Sequence, residues 1–269
     1  MNISTPLKIT TSVSFVVMVL INALANIMLF NGMNTGQVSD LFPNLFTPAG
    51  YTFAIWTLIY VMLLLHVLYL WGVFTRKNDD SILSSATLQR VEILFIVSSI
   101  ANALWIVAWH FLLLPLSLLL MIVILVCLAW ISLLLRNEKL TFSEKILVRL
   151  PFSIYFGWIT VATIANVTVL LTSFGWGMIP FADIIMIAVL LIGLTIALFT
   201  TIMNHDGAYA LTVSWAYAGI LARYIMTPFY LAAYPAIAVV LSLCLIALIA
   251  VALIEFVRSD QRRYAKQNA

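Results

Sequence analysis

Two groups of aromatic and amide residues recur at helical spacing and could together line a binding site. The first group has steps of four, three and four residues: Ser98, Asn102, Trp105 and Trp109. The second group has steps of three, four and four: Tyr155, Trp158, Ala162 and Asn166. Steps of three and four place side chains on one face of a helix, so each group forms a stripe. A further pair, Trp56 and Tyr60, follows a long segment, 31–50, that contains Asn, Gly and Pro.

Indole and phenol rings beside amides suit a planar, largely apolar ligand, because the rings stack on it and the amides orient it. An amide in lipid is costly unless it is paired, so Asn102 and Asn166 should face inward and carry their stripes with them. The stripes and the Trp56–Tyr60 pair can then meet under segment 31–50. Helix packing with amide hydrogen bonds is the alternative that the spacing leaves open.

The composition indicates that most of the chain lies in lipid. Of its 269 residues, 64% are hydrophobic and 9% are charged, and the mean hydropathy is +1.14. Soluble domains contain about 45–50% apolar and about 25% charged residues. These values exclude a soluble enzyme, a nucleic-acid-binding protein and a disordered chain. The expected partners are the lipid bilayer and a small hydrophobic ligand, with no nucleic acid.

The apolar segments predict an all-α polytopic membrane bundle with eight transmembrane helices, each with the ~20 residues that a crossing needs. The predicted spans are 13–30, 51–74, 91–113, 116–135, 150–171, 181–203, 209–226 and 233–257. Segment 91–135 would be roughly 67 Å long as one helix at ~1.5 Å per residue, so the chain must reverse within it. Pro115 places that reversal at 112–116.

The basic residues predict the topology. With eight spans, every Lys and Arg except Arg223 falls on one side of the membrane. Positive loops face the cytoplasm, so both termini should be cytoplasmic in a multi-pass protein of the cell membrane. Segment 31–50 is then a long loop on the outer side.

Signals for catalysis are weak. His66 is the one ionisable residue well within a span, whereas Glu92 and Glu255 lie near span ends. Asp79-Asp80 is a lone acidic pair in a basic loop, which cannot hold a metal without further carboxylates. No metal ligands or catalytic residues are predicted. The sequence leaves an enzyme open but favours a binding protein.

The stripes also resemble a known family, the TspO/MBR or tryptophan-rich sensory proteins. Pro48, Trp56 and Tyr60 are similar to its P-x7-W-x3-Y signature, and Asn102 with Trp105 to its N-x-x-W motif. The second stripe is similar to its Y-x-x-W-x3-A-x3-N motif. The resemblance extends over about 13–171 and departs at Pro48-Ala49, where the family usually has a Pro pair. Three further spans have no counterpart in a five-helix family, so the chain resembles an enlarged branch.

The resemblance implies a five-helix domain, 1–172, with a ligand cavity under the first loop, followed by three additional helices and a basic tail in 173–269. It implies a membrane sensor or binding protein for a planar hydrophobic ligand, with a porphyrin as the candidate bound group and a homodimer as the candidate assembly. A transporter of a small hydrophobic compound is the alternative function. Among the residues of the stripes and the pair, those with family counterparts are the following: Trp56, Tyr60, Asn102, Trp105, Tyr155, Trp158, Ala162 and Asn166. Trp109 is expected to line the same cavity because it shares the first stripe.

Overall fold

The computed structural model describes residues 3–27, 30–74, 82–176 and 180–267, with side chains up to residue 258. Within these ranges every regular element is a helix. The Asp79-Asp80 pair lies outside the described residues. The long helices are the following: α1 (Thr5–Ile27), α3 (Ile55–Leu70), α4 (Ser85–His110), α5 (Leu114–Arg136), α7 (Leu150–Ser173), α8 (Ala182–Asn204), α9 (Gly207–Met226) and α11 (Pro235–Gln267). The short helices are α2 (Thr35–Asp40), α6 (Phe142–Glu144) and α10 (Pro228–Ala233).

The all-α polytopic fold is confirmed. Seven helices of the described chain are long and apolar enough to cross a membrane, and they match every predicted span except the seventh. The seventh predicted span is also a helix, α9, with 20 residues. It is less apolar because it carries Arg223 and three tyrosines, Tyr209, Tyr217 and Tyr224, which are buried. Eight crossings require α9 to span the bilayer as well, and that count stays a prediction.

The predicted reversal after the third span occurs within two residues of its expected position. Helix α4 ends at His110 and α5 begins at Leu114, with Pro115 in its first turn. Proline suits a first turn because the N–H that it lacks would have no helical partner there. Leu112 adopts a left-handed conformation with φ of 58°, which turns the chain back on itself.

The helices pack so that α7 lies at the centre of the bundle. Helix α4 runs along α1 and α5, while α7 contacts α3, α5 and α9. Helices α7 and α9 approach closely at Gly157, where a side chain would overlap the Tyr209 carbonyl and Thr212. Helices α8, α9 and α11 pack on one another. We call the end of the bundle that carries segment 31–50 the loop end, and the opposite end the basic end.

Candidate ligand-binding site

A cluster of aromatic rings lies beneath the loop end, with Trp56 at its centre. The centroid of the Trp56 ring is 5.5 Å from Tyr60, 5.7 Å from Trp105, 6.0 Å from Tyr155 and 6.1 Å from Trp158. Tyr60 stacks on Trp56, whereas Tyr155 and Trp158 meet it edge to face. Trp109 extends the cluster by stacking on Trp105 at 6.1 Å. The sequence stripes therefore converge, as helical spacing predicts.

The amide Asn102 joins three helices below these rings. Its Oδ1 accepts a hydrogen bond from Asn22 Nδ2 of α1 at 2.8 Å, and its Nδ2 donates to the Tyr155 hydroxyl of α7 at 2.8 Å. All three side chains are buried. The Asn102 side chain is thus engaged with protein on both sides, which favours the packing interpretation for this residue.

Replacing Asn102 with leucine should therefore lower the thermal stability of the protein. The change leaves Asn22 and Tyr155 with unpaired buried groups, a cost of about 1–3 kcal/mol. Ser98→Ala is the matched control from the same stripe, because the Ser98 hydroxyl bonds only to the Phe95 carbonyl of its own helix. Melting in detergent measures both variants. An unchanged or higher melting temperature for Asn102→Leu, together with weaker ligand affinity, would instead identify Asn102 as a ligand contact.

Two neighbouring cavities adjoin the ring cluster. An outer cleft of about 500 Å³ opens between α1 and α3. Its polar side chains are uncharged: Asn22, Asn26, Asn34, Thr35, Thr57 and Tyr60. An inner cavity of about 40 Å³ lies behind it and includes the following predicted site residues: Trp56, Trp105, Trp109, Trp158, Ala162 and Asn166. Phe53, Trp56 and Thr35 line both spaces and form the wall between them.

Several polar atoms around these cavities have no partner among the described residues. They are the indole Nε1 of Trp105, the indole Nε1 of Trp158, the Tyr60 hydroxyl and Oδ1 of Asn166. Trp105, Trp158 and Asn166 are buried. Asn166 uses its Nδ2 to bond the Ser117 hydroxyl at 2.9 Å, so only its carbonyl oxygen is open. Sequence reasoning predicted the amide and phenol as polar groups but missed the two indole donors, because spacing does not show which N–H remains unpaired.

The loop over the site is ordered by its own short helix and by the bundle. Helix α2 begins with a capping box, in which the side chains of Asn34 and Gln37 each bond the other residue's backbone N–H. The backbone N–H and hydroxyl of Thr35 both donate to Asn26 Oδ1 on α1. Trp109 Nε1 donates to the Thr35 carbonyl at 3.1 Å. The start of α2 is therefore fixed to both α1 and α4 as a cover for the rings.

Helix α9 holds the other half of the loop. The Ala49 N–H donates to the Gly219 carbonyl at 2.9 Å, and Trp215 Nε1 donates to the Thr52 carbonyl at 3.0 Å. Arg223, the one basic residue predicted on the loop side, forms an ion pair with Asp40 of α2 at 2.8 Å.

The same helix also contributes to the inner cavity, which Ala216 and Ile220 line. Sequence reasoning assigned no role to the last three spans. The one available signal was charge complementarity, since Asp40 is the only acidic residue in segment 31–50 and Arg223 the isolated base at that end.

Gly219→Ala should loosen the loop. An alanine methyl group at this position would overlap the Thr52 side chain. Such overpacking costs about 1–3 kcal/mol, more than the gain of about 1 kcal/mol that alanine brings to a helix. We expect faster proteolysis within 31–50 and a lower melting temperature. Gly50→Ala is the control, because a methyl group there meets open space. If the Gly219→Ala variant is more stable than the wild type, the contact between residue 219 and the Thr52 side chain is not tight.

One protein-family model matches most of the chain. This model, described as TSPO-like protein, matches residues 8–254. The chain belongs to the TSPO-like protein family. The matched residues include α8, α9 and most of α11. The three helices that follow the predicted five-helix domain of this TSPO-like protein are therefore also part of the family match. The division into 1–172 and 173–269 stays a prediction. Searches of curated proteins and of solved structures found no match.

Proposed function

We propose that this TSPO-like protein is a membrane sensor or binding protein for a planar, largely apolar ligand, held at the ring cluster. The observation that carries the proposal is the set of unpaired buried groups beside the two cavities: two indole donors, a phenol and an amide oxygen. An unpaired buried polar group costs about 1–3 kcal/mol. A ligand that bonds to these groups would recover that cost, so the arrangement favours an occupant.

The cavity dimensions indicate how such a ligand would lie. The outer cleft, at about 500 Å³, is within the ~300–1,000 Å³ typical of small-molecule sites. The inner cavity, at about 40 Å³, exceeds the ~10–15 Å³ that a water molecule needs but is far smaller than a drug-sized site. The body of a ligand would therefore occupy the cleft against Trp56 and Tyr60. Only a small hydrogen-bonding end would reach Trp105, Trp158 and Asn166.

The electrostatics of the site restrict the ligand further. Among the described residues that line the cleft and the inner cavity, none is Lys, Arg, Asp or Glu. A buried charge without a partner is very costly. The polar end of the ligand is therefore neutral, for example a carbonyl or a hydroxyl group. A porphyrin would meet this condition with its rings in the cleft and a carboxyl group in its neutral, protonated form at the inner cavity, so a tetrapyrrole remains our candidate ligand.

Transport, the alternative function, has less support than binding. Toward the basic end, the rings of Phe95, Phe152 and His66 pack edge to face with centroid distances of 4.9 to 5.9 Å. This layer lies across the bundle on the side of the site opposite to the loop. A ligand that crossed the membrane through the bundle would have to displace it.

A binding titration tests the proposed function. Purified protein in detergent is titrated with protoporphyrin, cholesterol and palmitate while tryptophan fluorescence is followed. We expect saturable one-site binding of protoporphyrin, cholesterol or both and none of palmitate, because a flexible chain offers no plane for the indoles to stack on. Failure of both protoporphyrin and cholesterol to saturate, or equal binding of palmitate, would contradict the proposal.

A further inference from the structure

A third cavity lies at the loop end and shares no lining residue with the outer cleft. It is a groove of about 110 Å³ bounded by loop residues 44–46, the end of α7 and the start of α8. Leu171 and Ile185, which line it, are exposed. Phe46 and Met186, which also line it, are buried. Exposed apolar side chains of a transmembrane bundle face acyl chains, so the groove opens toward the bilayer.

The polar side chains of the groove already have hydrogen-bond partners within the protein. Asn44 bonds the backbone of its own loop through both ends of its amide, at 2.9 Å in each case. The hydroxyls of Thr168 and Thr172 donate to carbonyls of their own helix at 2.8 Å. Among the described residues that line the groove, no buried side-chain N or O atom lacks a partner, in contrast to the inner cavity. An occupant of the groove therefore needs no hydrogen bonds, which indicates hydrocarbon.

The groove lies at the depth of the upper part of an acyl chain. Trp176, which lines it, is exposed, and tryptophan favours the membrane–water interface. From Ala182 to Val189 the groove follows α8 for roughly 10 Å at ~1.5 Å per residue, about a third of the ~30 Å hydrocarbon core. None of the described lining residues is Lys, Arg, Asp or Glu. The groove can therefore hold a chain without selecting a charged headgroup.

Protein contacts leave the groove unfilled. Helix α8 packs chiefly on α11 and also on α9, and it touches α7 only lightly. Side chains that line a void lose dispersion contacts, because no partner atoms lie on one side of them. Apolar cavities of similar size, about 150 Å³, stay free of water and bind small apolar molecules. A hydrocarbon chain that enters from the bilayer would restore the lost contacts.

We propose that the groove binds one acyl chain of a phospholipid from the leaflet at the loop end. The bound chain packs against Phe46 and supports segment 44–46, which is also held by a hydrogen bond of 3.0 Å from the Tyr224 hydroxyl to the Leu45 carbonyl. A phospholipid is the occupant because its chains surround this surface in a membrane and the lining requires no polar group. The proposal does not depend on the proposed function, since the body of that ligand lies in the outer cleft.

Photo-crosslinking in phosphatidylcholine vesicles tests the site in the wild-type protein. The probe is phosphatidylcholine with a diazirine on one acyl chain, and peptide mass spectrometry identifies the labelled residues. We expect adducts at Phe46 and Met186, because a chain in the groove contacts these buried side chains. Leu190 is the matched control, since it is buried on α8 but does not line the groove, and it should stay unlabelled. Labelling of exposed residues of α8 such as Leu191, without Phe46 or Met186, would overturn the proposal.

Two tryptophan variants on α8 test whether the groove itself holds the chain. Ala182 lines the groove, whereas Ala188 is exposed on the same helix and lies outside it. The indole of Ala182→Trp would fill the groove, so labelling at Met186 should fall about tenfold, equivalent to ~1.4 kcal/mol of chain affinity. Ala188→Trp should be labelled like the wild type. Equal labelling of Met186 in the two variants would overturn the proposal, and so would labelling by a cholesterol diazirine but not by the phosphatidylcholine probe.

Limited proteolysis tests the support of segment 44–46 by the bound chain. In detergent without phospholipid, the wild type should be cut faster within 31–50 than after phosphatidylcholine is added. Ala182→Trp should show little response to phosphatidylcholine, because its indole already occupies the groove, while Ala188→Trp should respond like the wild type. An equal response of the two variants would overturn the support of the loop by this chain.

Discussion

Replacement of His66 with leucine should lower the free energy of unfolding by about 3–5 kcal/mol, the typical cost of removing one partner of a buried ion pair. His66 on α3 and Glu92 on α4 are fully buried, and His66 Nε2 lies 2.9 Å from Glu92 Oε1. The other ring nitrogen, Nδ1, is 2.8 Å from the Leu147 carbonyl. The leucine variant would leave both oxygens without this partner.

The geometry also fixes where the protons of this pair lie. The Leu147 carbonyl oxygen can only accept a hydrogen bond. His66 therefore donates from Nδ1 to that carbonyl, and one proton is shared between Nε2 and Glu92. The pair carries no net charge whichever group holds this proton. That neutrality allows the two ionisable side chains to be buried within the bundle.

Thermal unfolding in detergent, analysed as a double-mutant cycle, measures the His66 prediction. The double variant His66→Leu, Glu92→Leu should be more stable than His66→Leu alone, because the second change removes the unpaired carboxyl group. The control is the partly exposed pair of His205 and Glu255, in which His205 is 40% exposed and Glu255 is 1% exposed. His205→Asn should cost no more than about 1 kcal/mol, since Asn tolerates the left-handed backbone there and Glu255 keeps Arg258 as its partner. Similar losses of unfolding free energy in His66→Leu and His205→Asn would contradict the prediction.

Trp105→Ala should weaken the bound ligand by about 1–3 kcal/mol, or roughly 5- to 150-fold in Kd, because the polar end of the ligand loses its hydrogen-bond donor. The Trp105 indole lies between Trp56 and Trp109, and its N–H is unpaired. Both its contact with the end of the ligand in the inner cavity and its hydrogen bond to that end would be lost. Trp105→Phe keeps a ring but not the donor, so its affinity should fall between those of the wild type and the alanine variant.

The control for Trp105 is Trp130→Ala on α5. Trp130 is 59% exposed on the lipid-facing surface and should not affect affinity. Fluorescence titration with protoporphyrin compares the three variants with the wild type. If Trp105→Ala binds normally but melts at a lower temperature, the ring cluster serves packing rather than binding.

Much of the site could be predicted from sequence because two physical constraints act on it locally. Helical periodicity determines which side chains share a face, and the cost of an amide in lipid determines that the face turns inward. Together these two constraints predicted that Trp105 and Trp158 lie near Trp56, and the structure places them there. The partner of Asn102 was not predictable in this way, because Asn22 lies on another helix and only the lateral packing of α1 against α4 brings them together.

The contribution of α9 was beyond sequence reasoning for the same reason. Hydropathy identifies a helix over 209–226 but not its neighbours. The sequence therefore could not show that hydrogen bonds to the Gly219 carbonyl and from the Trp215 indole hold the loop. Likewise, His66 and Glu92 are 26 residues apart on successive helices, and nothing in their spacing shows that the two side chains meet.

We expect the unpaired indole N–H groups of Trp105 and Trp158 to face the bound ligand. Nitrogen-15 spectra of indole-labelled protein, assigned with Trp-to-Phe variants, test it most directly. At saturating protoporphyrin, both indole N–H resonances should shift, while those of Trp130 and Trp176, which are exposed at the surface, stay in place. Unchanged resonances for Trp105 and Trp158 at saturation would contradict the proposed binding site.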